Sequence, residues 1–359
     1  MANVSALEPL KEASMKQLNE QKAARTLAKS DKNKDGKIQK DEGELFWRRN
    51  ARHDKNGDGA LDLEELKQIG DPQIDSKGRK LLNVIFKRTP QGPVYLDFYF
   101  PEKDAGSDKP VVIFTHGGGW AAGNKSKAGS ASFNEVHKAL LNEGFCVLSV
   151  GYRKVSKDGD TAMRDCVIDS KDALRFISAH HEELGIDPNK IHAFGDSAGG
   201  QMAQMIALSP SESLKGDKEL AKFDYKTVSG VSWYGPCDFQ DEQLFNHDDR
   251  AGFRDRFGPR IMGAGSKPEE KEQRYREMSP VSYLTKDSPP LLMIQGDKDT
   301  TIPVKQAYRM QEALKTIDAP VEVLIVKNAG HNWRSVDAPI EPTRAEIIER
   351  TIQFFLKHR

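Results

Sequence analysis

From Leu81 onward, short apolar runs alternate with longer stretches of helical spacing, and this alternation restricts the fold more than any other feature of the chain. Residues 111–114, 145–150, 191–194, 228–233, 291–294 and 321–326 read as strands. Residues 133–141, 163–184, 200–208, 304–316 and 345–357 read as helices. Residues 81–86 and 94–100 open the series as an antiparallel pair around Thr89-Pro90-Gln91-Gly92-Pro93. Strand–helix alternation implies a mostly parallel sheet with helices on both faces, since each crossover must return over the sheet. Ligands of such sheets bind beyond the carboxyl ends of the strands, so the residues that follow each strand carry the functional signal.

Two of these positions hold glycine-rich motifs. The run 111–114 leads into His116-Gly117-Gly118-Gly119-Trp120, and the run 191–194 leads into Gly195-Asp196-Ser197-Ala198-Gly199. A tight strand-to-helix turn projects the serine hydroxyl and needs small neighbours, here Gly195, Ala198 and Gly199. The first N–H groups of the helix that follows favour developing negative charge at the same spot. A nucleophilic Ser197 needs a base, and the base needs an orienting carboxylate. Three histidines follow Ser197 in the chain. His358 is the next-to-last residue, and His247 lies in the polar stretch Asn246-His247-Asp248-Asp249. His331 follows the last strand in Asn328-Ala329-Gly330-His331-Asn332-Trp333 and is the candidate base. Two carboxylates, Asp297 and Asp299, compete in the loop after residues 291–294, where Asp297 also suits a turn.

The first 75 residues have a different character. Asp31, Asn33, Asp35 and Glu42 occupy positions 1, 3, 5 and 12 of a calcium-loop template, and Asp54, Asn56, Asp58 and Glu65 repeat it. Lys37 and Ala60 stand at position 7, where the backbone carbonyl is the ligand. Glycine stands at position 6, and Ile38 and Leu61 at position 8. These residues resemble the EF-hand family, which implies two bound Ca2+ ions. The loops begin 23 residues apart, at Asp31 and Asp54, which is short for two separate helices between them. One helix carrying Leu45, Phe46 and Trp47 is expected to serve both loops, and that leaves cooperative pairing of the loops in doubt. Met15, Leu18 and Leu27 are expected on one face of the entry helix, with Leu66 and Ile69 ending the exit helix. The expected division is an EF-hand pair over residues 1–75, a linker over 76–80 and the α/β domain over 81–359.

The run 116–120, the run 195–200, the stretch from Gly296 to Pro303 and Gly330-His331 together resemble the carboxylesterase branch of the α/β-hydrolases. They are nearest to the hormone-sensitive-lipase-like enzymes and the bacterial feruloyl/acetylxylan esterases. Tyr152-Arg153 is followed by Lys154-Val155 instead of Leu-Ala-Pro-Glu, which favours the second group. The resemblance implies an α/β-hydrolase fold preceded by a small all-α calcium-binding domain. It implies a Ser197, Asp299, His331 triad acting through an acyl-enzyme on short-chain esters, such as acetyl or feruloyl esters of carbohydrates. It also implies an oxyanion hole from the N–H groups of Gly118, Gly119 and Ala198, with Gly117 as the alternative donor. Trp120 and Trp333 flank these loops and are candidates for the substrate wall, or simply for packing.

Equal numbers of basic and acidic residues, 54 each, give no electrostatic reason to expect nucleic acid. No apolar run approaches the roughly 18 residues of a membrane span. Cys146, Cys166 and Cys237 are too few and too scattered for a disulfide framework. Residues 1–29 lack the apolar core of a signal peptide, and a secreted or periplasmic setting with the leader absent from this sequence is expected. Calcium is expected to be structural, because its loops are remote in sequence from the triad. The partner is expected to be a small-molecule or carbohydrate ester, and oligomeric state stays open. The role of residues 238–278, rich in charge and glycine, also stays open between a cap and a surface excursion. Competing readings are an arylformamidase or peptidase using the same triad, and a calcium-dependent binding protein with a non-catalytic hydrolase scaffold.

Overall fold

The structure, a computed structural model, describes residues 15–69, 71–103, 106–156, 160–246 and 255–359. His247 and the rest of residues 247–254 lie outside the described part, as do the side chains of Met15, Leu18 and Leu45. The chain forms two compact units that part between Pro72 and Gln73. The boundary precedes the expected one at Asp75, because Ile74 is fully buried in the core of the larger unit.

In the smaller unit, α1 (Met15–Ser30) leads to the first loop, β1 (Lys37–Gln39) and α2 (Glu44–Asn50). A 3-10 turn over Ala51–His53, β2 (Ala60–Asp62) and α3 (Leu63–Lys67) follow. A single short helical stretch therefore serves both loops, as their spacing requires. The loops nevertheless pair: β1 and β2 form an antiparallel ribbon with Ile38 opposite Leu61. Both side chains are fully buried and share a small core with Ala23 and Leu66. The doubt about pairing is corrected here, because the residue after position 7 of each loop supplies both the strand hydrogen bonds and the apolar contact.

The larger unit is built on an eight-stranded sheet in the order β10-β9-β8-β7-β5-β6-β4-β3. Its strands are β3 (Lys80–Thr89), β4 (Gly92–Tyr99), β5 (Lys109–Thr115), β6 (Cys146–Val150), β7 (Ile186–Asp196), β8 (Thr227–Trp233), β9 (Leu291–Gly296) and β10 (Val321–Val326). β4 pairs antiparallel with β3 and β6, and the remaining pairs are parallel. Its helices are α4 (Ala131–Asn142), α5 (Met163–Ala179), α6 (His181–Leu184), α7 (Ala198–Leu208), α8 (Gly258–Met262), α9 (Lys271–Met278), α10 (Lys305–Leu314) and α11 (Arg344–Lys357). The expected helix over 163–184 is two helices, broken at His180 where ψ turns to 24°.

Alternating side chains sort the helices onto two faces. Leu292 and Ile294 of β9 join a cluster with Phe133 of α4 and Phe355 of α11, whereas Leu291 and Met293 join Met310 of α10. The strand order reverses around β5, which has β6 on one side and β7 on the other. Open parallel sheets present their ligand crevice at such a switch point. Both glycine-rich motifs lie at carboxyl ends there, one after β5 and one at the end of β7.

Residues 238–278 contain no strand among the described residues. The described part is not a surface excursion: Phe239, Phe245, Phe257, Ile261 and Tyr275 are buried in one cluster with Trp120 and Met202. The segment is thus anchored over α7 and the loop after β5.

Candidate active site

At the end of β7 the chain turns directly into α7. Ser197 takes φ 53° and ψ −120°, a conformation that L-residues avoid and that the surrounding packing must hold. The strand and helix approach so closely that glycine is required on both sides of the serine. A Cβ on Gly195 would lie 2.1 Å from Gly199 O, and one on Gly199 would lie 1.9 Å from Thr115 O. Thr115 fastens the elbow from β5, its hydroxyl donating to Gly199 O at 2.7 Å and Phe194 O at 3.2 Å. Ser197 N–H donates to Trp233 O at 2.8 Å.

His331 arrives from the loop after β10. Its Nε2 lies 3.1 Å from Ser197 Oγ and its Nδ1 lies 2.7 Å from Asp299 Oδ2. This geometry sets the neutral tautomer, with Nδ1–H donating to the carboxylate and Nε2 free to accept from the serine. Asp299 is buried, and its other oxygen accepts from the N–H groups of Thr301 at 2.7 Å and Ile302 at 2.9 Å. Gln295 Nε2 donates to Oδ2 at 3.2 Å. Asp297, the competing carboxylate, is outside this relay: its N–H donates to Val326 O at 3.0 Å, and among the described residues its Oδ1 has no hydrogen-bond partner. The acid and base loops touch at Gly296, where a Cβ would meet Ala329 O at 2.2 Å.

The loop after β5 packs on Asp196, the residue preceding the serine. Asp196 Oδ1 accepts from Gly117 N–H at 2.8 Å, and Oδ2 accepts from Lys127 Nζ at 2.6 Å. Gly117 therefore has its donor engaged, which removes it as the alternative oxyanion group. Among the described residues no acceptor takes the N–H of Gly118, Gly119 or Ala198. Gly118 has φ 131° and Gly119 φ 58°, a path that only glycine follows without strain. His116 is buried beneath the loop and bonded through Nδ1 to Gly117 O at 2.8 Å. Burial, and then the Lys154 ammonium, hold its pKa well below the ordinary histidine value, so this ring is neutral. Tyr152 stacks on it and donates to His116 O at 2.6 Å.

The two tryptophans are buried, and of the two roles left open for them, substrate wall and packing, burial favours packing. Trp120 donates from its indole N–H to Gln201 Oε1 at 3.1 Å and is faced by Phe239 and Phe257. Trp333 packs edge-on against Trp233 and Tyr234. Each extends the apolar core from beneath its loop. Tyr234 meets the site, with its ring centroid 4.7 Å from that of His331. Asp196 did not stand out in the sequence. The only hint for Asp196 was its place inside the serine motif.

In the smaller unit, both calcium-template loops close on their own backbone. Asp31 Oδ2 accepts from Gly36 N–H at 2.9 Å, and Asp54 Oδ2 accepts from Gly59 N–H at 3.0 Å. Glu42 and Glu65 fold back onto the N–H groups of Lys32 and Lys55, both at 2.7 Å. Asp35 and Asp58 accept from Lys37 N–H at 3.0 Å and Ala60 N–H at 2.9 Å. Asn33 and Asn56 accept in the same way from Asp35 and Asp58 N–H, both at 2.9 Å. Among the described residues no three acidic, histidine or cysteine side chains converge as a preformed metal cage. The donor set is nonetheless all oxygen, as calcium requires. Hydrogen bonds from the Gln39 side chain to Asp35 and from Lys37 to Asp58 lower both carboxyl pKa values, which keeps them ionised.

A family model described as BD-FAE matches residues 96–314, and one described as EF hand matches residues 24–42 and 53–69. The Mycobacterium tuberculosis protein named "Probable carboxylic ester hydrolase LipM" is 30% identical over 217 residues, covering 60% of this chain and 47% of that protein. The chain spans about half the length of the curated relatives it matches. Among solved structures, Thermogutta terrifontis esterase 2 aligns with a TM-score of 0.63 at 22% identity, over 80% of this chain and 96% of that one. A truncated carbohydrate esterase from gut microbiota aligns with a TM-score of 0.63 at 22% identity, over 80% and 99% of the two chains. At this level of identity the structural likeness speaks for the fold.

Proposed function

The chain belongs to the BD-FAE family of α/β-hydrolase esterases, and from that premise we propose that it hydrolyses short-chain carboxylic esters through an acyl-enzyme on Ser197. The observation that carries this reading is the unbroken relay from Asp299 through His331 to Ser197 Oγ. His331 Nε2 takes the hydroxyl proton as Oγ attacks the ester carbonyl. Asp299 keeps the imidazole in its tautomer and stabilises the imidazolium, while its own lone pairs stay occupied by backbone donors. The N–H groups of Gly118, Gly119 and Ala198 receive the oxyanion, each contributing about 2.7–4 kcal/mol where such donors have been removed. His331 then gives its proton to the leaving alcohol, and water attacks the acyl-enzyme by the reverse sequence. Acetyl or feruloyl groups on carbohydrates are the proposed natural esters.

The paired N-terminal loops are proposed to bind calcium as a structural ion. Asp31, Asn33, Asp35, Glu42 and the Lys37 carbonyl would hold one ion. Asp54, Asn56, Asp58, Glu65 and the Ala60 carbonyl would hold the other. The ion supplies charge neutralisation among the carboxylates and no step of the ester chemistry.

The test is hydrolysis of p-nitrophenyl esters from acetate to decanoate by wild type and Ser197→Ala, with paraoxon labelling of Ser197 read by mass spectrometry. Turnover that disappears with the serine and falls beyond butyrate is expected. Equal turnover in both proteins, or no phosphorylation at Ser197, would sink the proposal.

A further inference from the structure

Residues 238–278 bring two arginines to the rim of the site. A Cβ on Gly119 would lie 2.6 Å from Arg260 Nη1, so this guanidinium rests against the α-carbon of an oxyanion-loop glycine. Arg256 donates from Nη1 to Thr301 O at 3.1 Å, two residues beyond Asp299. Both guanidinium carbons lie beside one ring, at 5.2 Å and 5.5 Å from the centroid of Phe257. Phe257 is itself buried edge-on against Trp120 at 5.3 Å. The two cations therefore stand on a packed aromatic base, between the oxyanion loop and the acid loop.

Other partly buried arginines of this unit face carboxylates: Arg153 meets Asp169, Arg164 meets Glu277, and Arg309 meets Asp238. Arg260 does not. Among the described residues no carboxylate pairs with it, although it is half-buried. Desolvation, and then the Arg256 charge, push its pKa below the ordinary arginine value. Burying a guanidinium beside a like charge is unfavourable unless an anion arrives to complete the site. A carboxylate suits the fork best, since it can accept two parallel N–H bonds.

We propose that Arg260, with Arg256 beside it, is an anion subsite of the ester-binding crevice, and that within the proposed ester class the preferred members carry a carboxylate on their acyl or alcohol part, as an acylated acidic sugar does. This inference rests on the esterase reading and names a substrate class for it. It also accounts for two cations being placed at the rim of a site whose chemistry, ester cleavage, needs no cation.

The experiment compares kcat/KM for charged and neutral partners in the full chain. 4-Nitrophenyl hydrogen succinate against 4-nitrophenyl butyrate tests the acyl side. 3-Carboxyphenyl acetate against phenyl acetate tests the alcohol side. A charge-assisted hydrogen bond predicts a preference for the anionic member of one pair of about ten- to a hundredfold, falling toward unity in Arg260→Gln. Arg260→Lys keeps part of the preference, because the charge remains and the fork is lost. Lys315→Gln, an exposed cation on α10's C-terminal side, keeps all of it. Neutral esters turned over with no anionic preference, or a preference unchanged in Arg260→Gln, overturn the inference and leave the esterase reading in place. If no ester of either charge is turned over, the esterase reading fails. Calorimetric titration of glutarate into wild type and Arg260→Gln then decides the subsite alone: binding lost with Arg260 keeps it, and no binding ends it.

Discussion

In the proposed mechanism Asp196 acts on the reaction through the backbone it holds. Its carboxylate joins Gly117 N–H on the loop after β5 to Lys127 beyond that loop, while its neighbour Ser197 is the proposed nucleophile. Asp196→Ala frees the Gly117 peptide to rotate and misplaces the next two donors. We expect kcat to fall about 10²–10³-fold, the cost of losing one oxyanion donor, with KM little changed. Steady-state kinetics on p-nitrophenyl acetate measures the split, and a rise in KM alone would refute this role. Asp299 and Asp297 are separable in the same assay. Asp299→Asn leaves His331 Nδ1 facing an amide and should lower kcat on the order of 10⁴-fold. Asp297→Asn alters a side chain outside the relay and should stay within about threefold of wild type. These two carboxylates illustrate how far the sequence reaches at this scale. Both were visible after β9 and the family resemblance singled out Asp299; the physical reason is the hydrogen bond from His331, which depends on how two loops meet.

The catalytic elements are spaced by backbone contacts that admit no side chain. Gly199→Ala would set a methyl group 1.9 Å from Thr115 O and force α7 away from β5. Overpacking of this kind costs about 1–3 kcal/mol, and more where backbone is the obstacle. We expect a lower urea midpoint together with lost turnover, and full activity in the variant would show that the contact is relaxed in solution. Strand positions were legible because runs such as 111–114 and 291–294 are continuously apolar, as buried parallel strands must be. The break at His180 was not legible, since residues 163–184 keep helical spacing across it. Pairing of the calcium loops was also obscured: the short spacing suggested crowding, whereas Ile38 and Leu61 meet across a three-residue ribbon.

Across the whole molecule, each unit carries its own sensitivity to conditions. In the smaller unit, an ion that binds only the folded state at a hundred times its dissociation constant adds about 2.7 kcal/mol. Calcium should raise the thermal transition of that unit and a chelator should lower it, with ester turnover unaffected. A chelator that stops turnover without moving any transition would contradict a structural role. In the larger unit, Lys171 is fully buried and donates to Ser209 Oγ, Pro210 O and Ser213 Oγ at 2.9, 2.6 and 2.9 Å. Burial, and then Arg175, push its pKa from 10.5 down to about 7. The unfolded chain thus holds a proton between those values that the folded protein has released. Stability should therefore rise with pH through this window, by up to about 1.4 kcal/mol per pH unit. Lys154, lowered to about 8 mainly by burial, acts in the same sense. Urea titrations at pH 7 and pH 9.5 test this: Lys171→Met should lose most of the rise, and an identical slope in both proteins would exclude the lysine as its source.

What the sequence by itself determined was local. Apolar periodicity marked the strands, glycines marked the turns that tolerate no Cβ, and oxygen-bearing residues at fixed spacing marked the calcium loops. Each is encoded within a dozen neighbouring residues. What only the tertiary structure decided was which distant groups share space. It engaged Gly117 N–H with Asp196, buried Trp120 and Trp333 beneath their loops, and packed Phe239, Phe245, Phe257 and Ile261 into one cluster that carries Arg260 to Gly119. The reason is physical: a side chain's chemistry is set by burial and by partners, and for these residues the partners lie tens to hundreds of positions away, where no local pattern can specify them.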